Sequence, residues 1–242
     1  MADPHIRFHA EPRITANDLA RFMVSSDVAR LSIIRNSRET KAAMVVRYKY
    51  AREPIANFLT SAHRDGKILA AAEQMLKQRA ADPALSPFNR QDAELSMEAL
   101  KSCRGMANVL GPIDFQPVAQ KQKALTIEGV DVSVNLSALV HASTKKKQLI
   151  GGAILRLTKA DEKETEASGE RRKLMGGFVA TLAYMHILEH FKNVDGREPS
   201  PAHCYSLDIQ YGDIHNASSS VVRKIDNLKA ACRIIKAMWG SA

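Results

Sequence analysis

Apolar residues recur at three- and four-residue steps through the first third of the chain, a period that predicts helices. Leu19, Phe22 and Met23 form one such face, with Thr15 or Asn17 placed to cap it. Ser26 is placed to cap a second helix carrying Val28, Leu31 and Ile34, with Arg30 and Arg35 on its outer side. A third segment, Thr40 to Tyr50, is rich in Arg and Lys. Pro54 opens a short helix through Leu59, because proline is tolerated in a first turn. Ile68, Ala72, Met75 and Leu76 keep helical spacing over Gly66 to Ala81, and Asp82-Pro83 ends the run. No strand is expected in this third.

After the Ala84–Phe88 connector the period changes. Asn89 is expected to cap a helix with Leu95, Ala99, Cys103, Met106 and Leu110 on one face, ended by Gly111-Pro112. Leu125 to Val134 reads as extended chain turning at Glu128-Gly129, since Val130, Val132 and Val134 alternate with Asp131 and Ser133. Leu139-Val140 continues extended, Lys145 to Lys147 makes a basic turn, and Leu149 to Leu157 is apolar almost throughout, as in a strand covered on both faces. A long helix follows, with Leu174, Phe178, Thr181, Leu182, Met185 and Leu188 on its expected inner face. Cys204 to Tyr211 reads as a strand turning at Gly212-Asp213. The last helix carries Val221, Ile225, Leu228, Cys232, Ile235 and Trp239, capped by a serine among Ser218 to Ser220. The expected architecture is α/β (or α+β): a core sheet flanked by helices over residues 89–242, with an all-helical extension over residues 1–88.

Composition narrows the class. The 242 residues are 45% hydrophobic and 25% charged, which fits a globular chain. Aromatic residues make up 5%, so the core is aliphatic. No window is apolar for long enough to span a bilayer, and Met1 to Arg13 lacks the apolar stretch of a signal peptide. The three widely spaced cysteines suit reduced thiols in a cytoplasmic protein, with Cys103 and Cys232 on apolar helix faces. A net charge of +9 favours an acidic partner, nucleic acid first.

Candidate contacts follow from that charge. Lys145, Lys146 and Lys147, with Arg156 and Lys159, are expected to form a phosphate-binding patch that contacts backbone without reading sequence. Lys163 belongs with them, and Arg171, Arg172 and Lys173 add charge at the start of the long helix. No aromatics interleave with these lysines for base stacking. Arg35, Arg38, Lys41, Arg47, Lys49 and Arg52 make a second basic stretch. His186 to His190 matches the H-x-x-E-H pattern of inverted zincin peptidases, but the only later glutamate is Glu198, in a loop. Exposed or interfacial histidines near a helix end are the expectation there. Gly151-Gly152 and Gly176-Gly177 lack phosphate-loop spacing, and Gly176-Gly177 is expected to permit close helix packing.

From Asn89 to Trp239 the element order is helix, three strands, helix, strand, helix. This order resembles the core of the PD-(D/E)xK nuclease-like superfamily. Such nucleases hold a divalent metal on an aspartate of the second strand and a glutamate of the third, with a lysine two residues on. The matching positions here, Asn135-Leu136-Ser137 and Gly151 to Leu157, carry neither the aspartate nor Glu-x-Lys; Glu94, Glu98 and Asp131 are the nearby acids. The resemblance therefore implies a nucleic-acid-binding or nucleic-acid-associated protein with an inactive core and no cofactor. Two alternatives stand beside it. One is an active nuclease using Mg²⁺ or Mn²⁺, and the other is a protein-interaction subunit.

Overall fold

The apolar run between Leu149 and Leu157 becomes the middle strand of a six-stranded mixed sheet, buried on both faces from Ile150 onward. A computed structural model describes residues 6–41, 47–158, 164–192 and 194–241. The first part of the chain runs β1 (Ile6–Phe8), β2 (Arg13–Thr15), α1 (Ala16–Val24), α2 (Asp27–Arg38), β3 (Glu39–Lys41), α3 (Lys49–Thr60), α4 (Gly66–Ala81), α5 (Pro87–Gly105) and α6 (Ala107–Leu110). It continues through β4 (Asp114–Gln116), β5 (Leu125–Ile127), β6 (Val130–Ser133), β7 (Ala138–Ser143), β8 (Gln148–Arg156) and α7 (Glu166–His190). The last elements are β9 (Glu198–Pro199), β10 (Tyr205–Asp208), β11 (Asp213–Asn216) and α8 (Val221–Met238).

The main sheet has the order β11-β10-β8-β7-β4, with β9 pairing the start of β8. Its β4–β7–β8 part is antiparallel, while β8 and β10 are parallel and joined through α7. Phe178, Leu182 and Ile187 of α7 share one core with Ile150 and Ile154 of β8, Leu19 and Phe22 of α1, and Leu228, Cys232 and Ile235 of α8. On the other face Ile55 and Leu59 of α3, Leu69 and Leu76 of α4, and Leu100 and Cys103 of α5 pack on Ala153, Leu155 and Leu207. The fold is thus mixed α/β, with a helical layer on each face of the sheet.

Glycine sets how closely these layers approach. A methyl at Gly176 would overlap the His215 ring, so α7 lies close over β11 only because that side chain is missing. Glu128 and Gly129 both have positive φ, 51° and 80°, the geometry of a two-residue hairpin turn between β5 and β6.

Several expectations need correction. The first third contains strands: β2 pairs in parallel with β6, in a three-stranded sheet with β5. At three residues β2 is too short to display a period. Ser86, not Asn89, caps α5, its hydroxyl accepting from the Asn89 N–H at 3.3 Å with Pro87 in the first turn. Pro54 lies inside α3, which begins at Lys49; buried Asp92 accepts the Tyr48 N–H at 2.7 Å and anchors that start. Leu174 and Leu188 of α7 are exposed, because Gly176, Gly177, Ala180 and Ala183 turn the small-residue face inward. Among the described residues no helix is long and apolar enough to cross a membrane.

Candidate functional site

Strand register assembles a polar row at the C-terminal ends of the two parallel strands. Arg156 of β8 lies opposite Asp208 of β10, and Asp208 lies opposite Asp213 of β11. These strand ends, beside a crossover helix, are where open α/β sheets offer ligand sites. The first turns of α7 pass over the row and supply Ser168, Arg171 and Arg172.

Arg172 is fully committed. It donates to both Glu164 oxygens at 3.0 and 3.3 Å and to Asp213 Oδ2 at 2.6 Å, and it stacks 3.8 Å above the Tyr211 ring. Burial alone lowers its pKa, but the bonds to Glu164 and Asp213 and the charge of Asp208 reverse that and hold it above the ordinary value.

Arg156 is different. Its residue is 4% exposed and Asp208 is fully buried. Nη1 of Arg156 sits 3.0 Å from Asp208 Oδ2, within ion-pair distance but outside hydrogen-bonding geometry. Its guanidinium makes one hydrogen bond among the described residues, from Nη2 to the Met175 sulfur at 3.5 Å, a weak acceptor. Asp208 Oδ1 has no hydrogen-bond partner among the described residues. Burial raises the Asp208 pKa, and Arg156 and Arg172 pull it partly back. A guanidinium carries five N–H donors, so most of this buried cation's hydrogen-bonding capacity is unspent.

A cleft of about 440 Å³ opens over Arg156. Thr158, Ser168, Arg171 and Arg172 line one side, and Ser25 and Ser26 at the α1–α2 corner face them. Among the described residues Glu164 is its one carboxylate, and Arg172 holds it. Arg171 is exposed and makes no ion pair or hydrogen bond among the described residues. The cleft thus presents one buried and one free guanidinium, the hydroxyls of Ser26, Thr158 and Ser168 and the positive end of a long helix, a donor set suited to an anion, while the Ser25 hydroxyl donates to the Arg21 carbonyl at 2.7 Å.

Among the described residues, the predicted phosphate-binding lysines do not come together with Arg156. Lys145, Lys146 and Lys147 are exposed in the β7–β8 turn, and Lys147 pairs with Glu198 at 2.7 Å. Arg156 stands at the opposite end of β8, about 30 Å away at strand rise. Lys159 and Lys163 lie outside the described residues. Ser25, Ser26 and Tyr211 were invisible as site residues in sequence, because only tertiary folding brings them to Arg156.

The acids expected near a metal position also stay apart. Glu94 and Glu98 are exposed on α5, and Asp131 lies in the smaller sheet, accepting from Thr126 Oγ1 at 3.0 Å. Asn135, Leu136 and Ser137 border a second cleft of about 340 Å³ whose single carboxylate among the described residues is Glu53. Gln122 clamps the Leu136 backbone there through bonds of 2.8 and 3.0 Å. Among the described residues no group of three His, Cys, Asp or Glu side chains is placed to hold a metal ion.

His186 is not an exposed histidine. It is fully buried with neither ring nitrogen hydrogen-bonded among the described residues, and its ring packs edge-on to His190 at 4.6 Å. Burial, with His190 adding to it, lowers its pKa to about 4. No protein family and no curated protein matches the chain.

Proposed function

We propose that this chain binds nucleic acid through its phosphates, with the cleft over Arg156 as the principal contact, on a nuclease-like core without catalysis of its own. The observation that carries the reading is the buried Arg156 guanidinium, short of acceptors, at the floor of a cleft that also offers free Arg171. A phosphate oxygen would supply what Arg156 lacks, and guanidinium forks match phosphate geometry. The net charge of +9 supplies long-range attraction for a polyanion.

The exposed Lys145 and Lys146 add a second contact at the far end of β8. The separation of about 30 Å corresponds to about nine base-pair steps of duplex, so an extended polymer can touch both. The helix, strand, strand, helix, strand order of α5, β7, β8, α7 and β10 supports the nuclease-like reading, although the expected first strand, Leu125 to Val134, lies as β5 and β6 in the three-stranded sheet and β4 stands beside β7 instead. β7 and β8 contain no carboxylate, which supports the absence of catalysis.

Fluorescence anisotropy with labelled duplex and single-stranded DNA and RNA, at two salt concentrations with and without Mn²⁺, tests this. The expected result is binding that weakens steeply with salt and leaves the strand intact. Metal-dependent cleavage would replace the binder with an enzyme, and no binding at low salt would end the nucleic-acid reading.

A further inference from the structure

We infer that the Arg156 cleft takes a terminal phosphomonoester of a nucleic-acid strand rather than an internal phosphodiester; this rests on the nucleic-acid reading above. Depth is the first reason. Arg156 is 4% exposed and lies between α7 on one side and the α1–α2 corner on the other. An internal phosphate must carry chain away in two directions, so its oxygens have difficulty reaching a guanidinium below the surface. A terminal phosphate has one ester link and can enter end-on. The cleft's volume of about 440 Å³ lies in the range that holds a single small ligand, not a length of strand.

Charge and donor count are the second reason. A phosphomonoester carries about −1.5 to −2 charges at pH 7 and three strong acceptor oxygens, whereas a diester carries one charge and has two free oxygens. The cleft has two cations with unspent donors, Arg156 on its floor and Arg171 at its rim, and the Thr158 and Ser168 hydroxyls beside them. Glu164 does not cancel this pair, because both its oxygens are bound by Arg172. Asp208 is not part of the lining and balances Arg156 from below. The phosphate would complete the coordination of Arg156 and draw in Arg171.

The test compares one labelled oligonucleotide bearing a 5′-phosphate, a 3′-phosphate or hydroxyls at both ends, using the full chain, its R171A variant and its R156K variant. Inorganic phosphate and a nucleoside 5′-monophosphate serve as competitors. The expected result is at least about tenfold tighter binding of one or both phosphorylated ends, the change in Kd given by one good charge-assisted contact. R171A should reduce this preference without altering the unfolding transition, and R156K should reduce it through loss of the planar fork while keeping the charge opposite Asp208. Both free phosphates should compete.

Equal, salt-sensitive affinity for all three oligonucleotides would overturn the terminal-phosphate inference and leave nucleic-acid binding intact. A thermal shift with the nucleoside monophosphate but no binding of any oligonucleotide would do the reverse, keeping a monoester site and overturning the polymer. A terminal preference unchanged in both variants would place the site elsewhere and overturn the inference.

Discussion

Replacing His186 with leucine should remove a specific part of the protein's acid sensitivity. His186 is fully enclosed on α7, and neither ring nitrogen has a hydrogen-bond partner among the described residues. Burial, with His190 adding to it, depresses its pKa from 6.5 to about 4. The folded state thus binds this proton more weakly than the unfolded chain. The stabilising contribution is fully present above pH 6.5 and is lost as pH falls towards 4. Integrating between those two values gives a loss of about 2 kcal/mol from pH 8 to pH 5. Leucine fills a similar space with nothing to protonate and no polar atom to strand, so the variant should match or exceed the wild type at pH 8. Urea unfolding at pH 8, 6.5 and 5, followed by far-ultraviolet circular dichroism, measures the difference. Contributions from His141, His203 and His215 are common to both proteins and cancel. A wild type and variant that lose the same stability between pH 8 and pH 5 would refute the reasoning, since His186 would then be protonated without cost.

Three further perturbations test other parts of the fold. R156A leaves the Asp208 carboxylate buried with Arg172 at 3.5 Å as its remaining cation, and should cost about 3–5 kcal/mol in urea unfolding, while R156M/D208L should recover most of that. G176A drives a methyl into the His215 ring and should destabilise by about 1–3 kcal/mol, whereas G177A meets only the flexible end of Lys224 and should be neutral or gain from helix propensity by up to about 1 kcal/mol. Burial raises the Cys103, Cys204 and Cys232 thiols to about 12, so an aromatic disulfide reagent at pH 8 should label these thiols only at the rate at which the protein unfolds.

What the sequence discloses and what it hides follow from the range of the interactions. The α4 boundaries at Gly66 and Ala81, the turn at Glu128-Gly129 and the run of α8 are set by residues within a few positions of one another, and all are legible. Gly176 of the Gly176-Gly177 pair also reads correctly as a close-packing device, since α7 lies directly over His215, whereas Gly177 faces only the flexible end of Lys224. The three-residue strands β2 and β4 have no room for a period; long-range pairing with β6 and β7 makes them strands. The cleft is hidden for the same reason. Its walls come from the α1–α2 corner, the end of β8, the first turns of α7 and Tyr211, and the Arg156–Asp208 pairing depends on the parallel register of β8 and β10. Basic residues are visible one by one in a sequence, but which of them is buried with donors to spare is a property of the packed molecule.

Phosphate binding in the Arg156 cleft is tested most directly by the salt dependence of oligonucleotide affinity in the wild type, R171A and K145A/K146A. Arg171 is exposed and unpaired among the described residues, so its removal should leave stability within about 0.5 kcal/mol of the wild type. If the cleft holds a phosphate, R171A should weaken binding and reduce the slope of log K against log salt by about one contact, with a separate reduction in K145A/K146A. An R171A protein with the same affinity and the same slope as the wild type would contradict it.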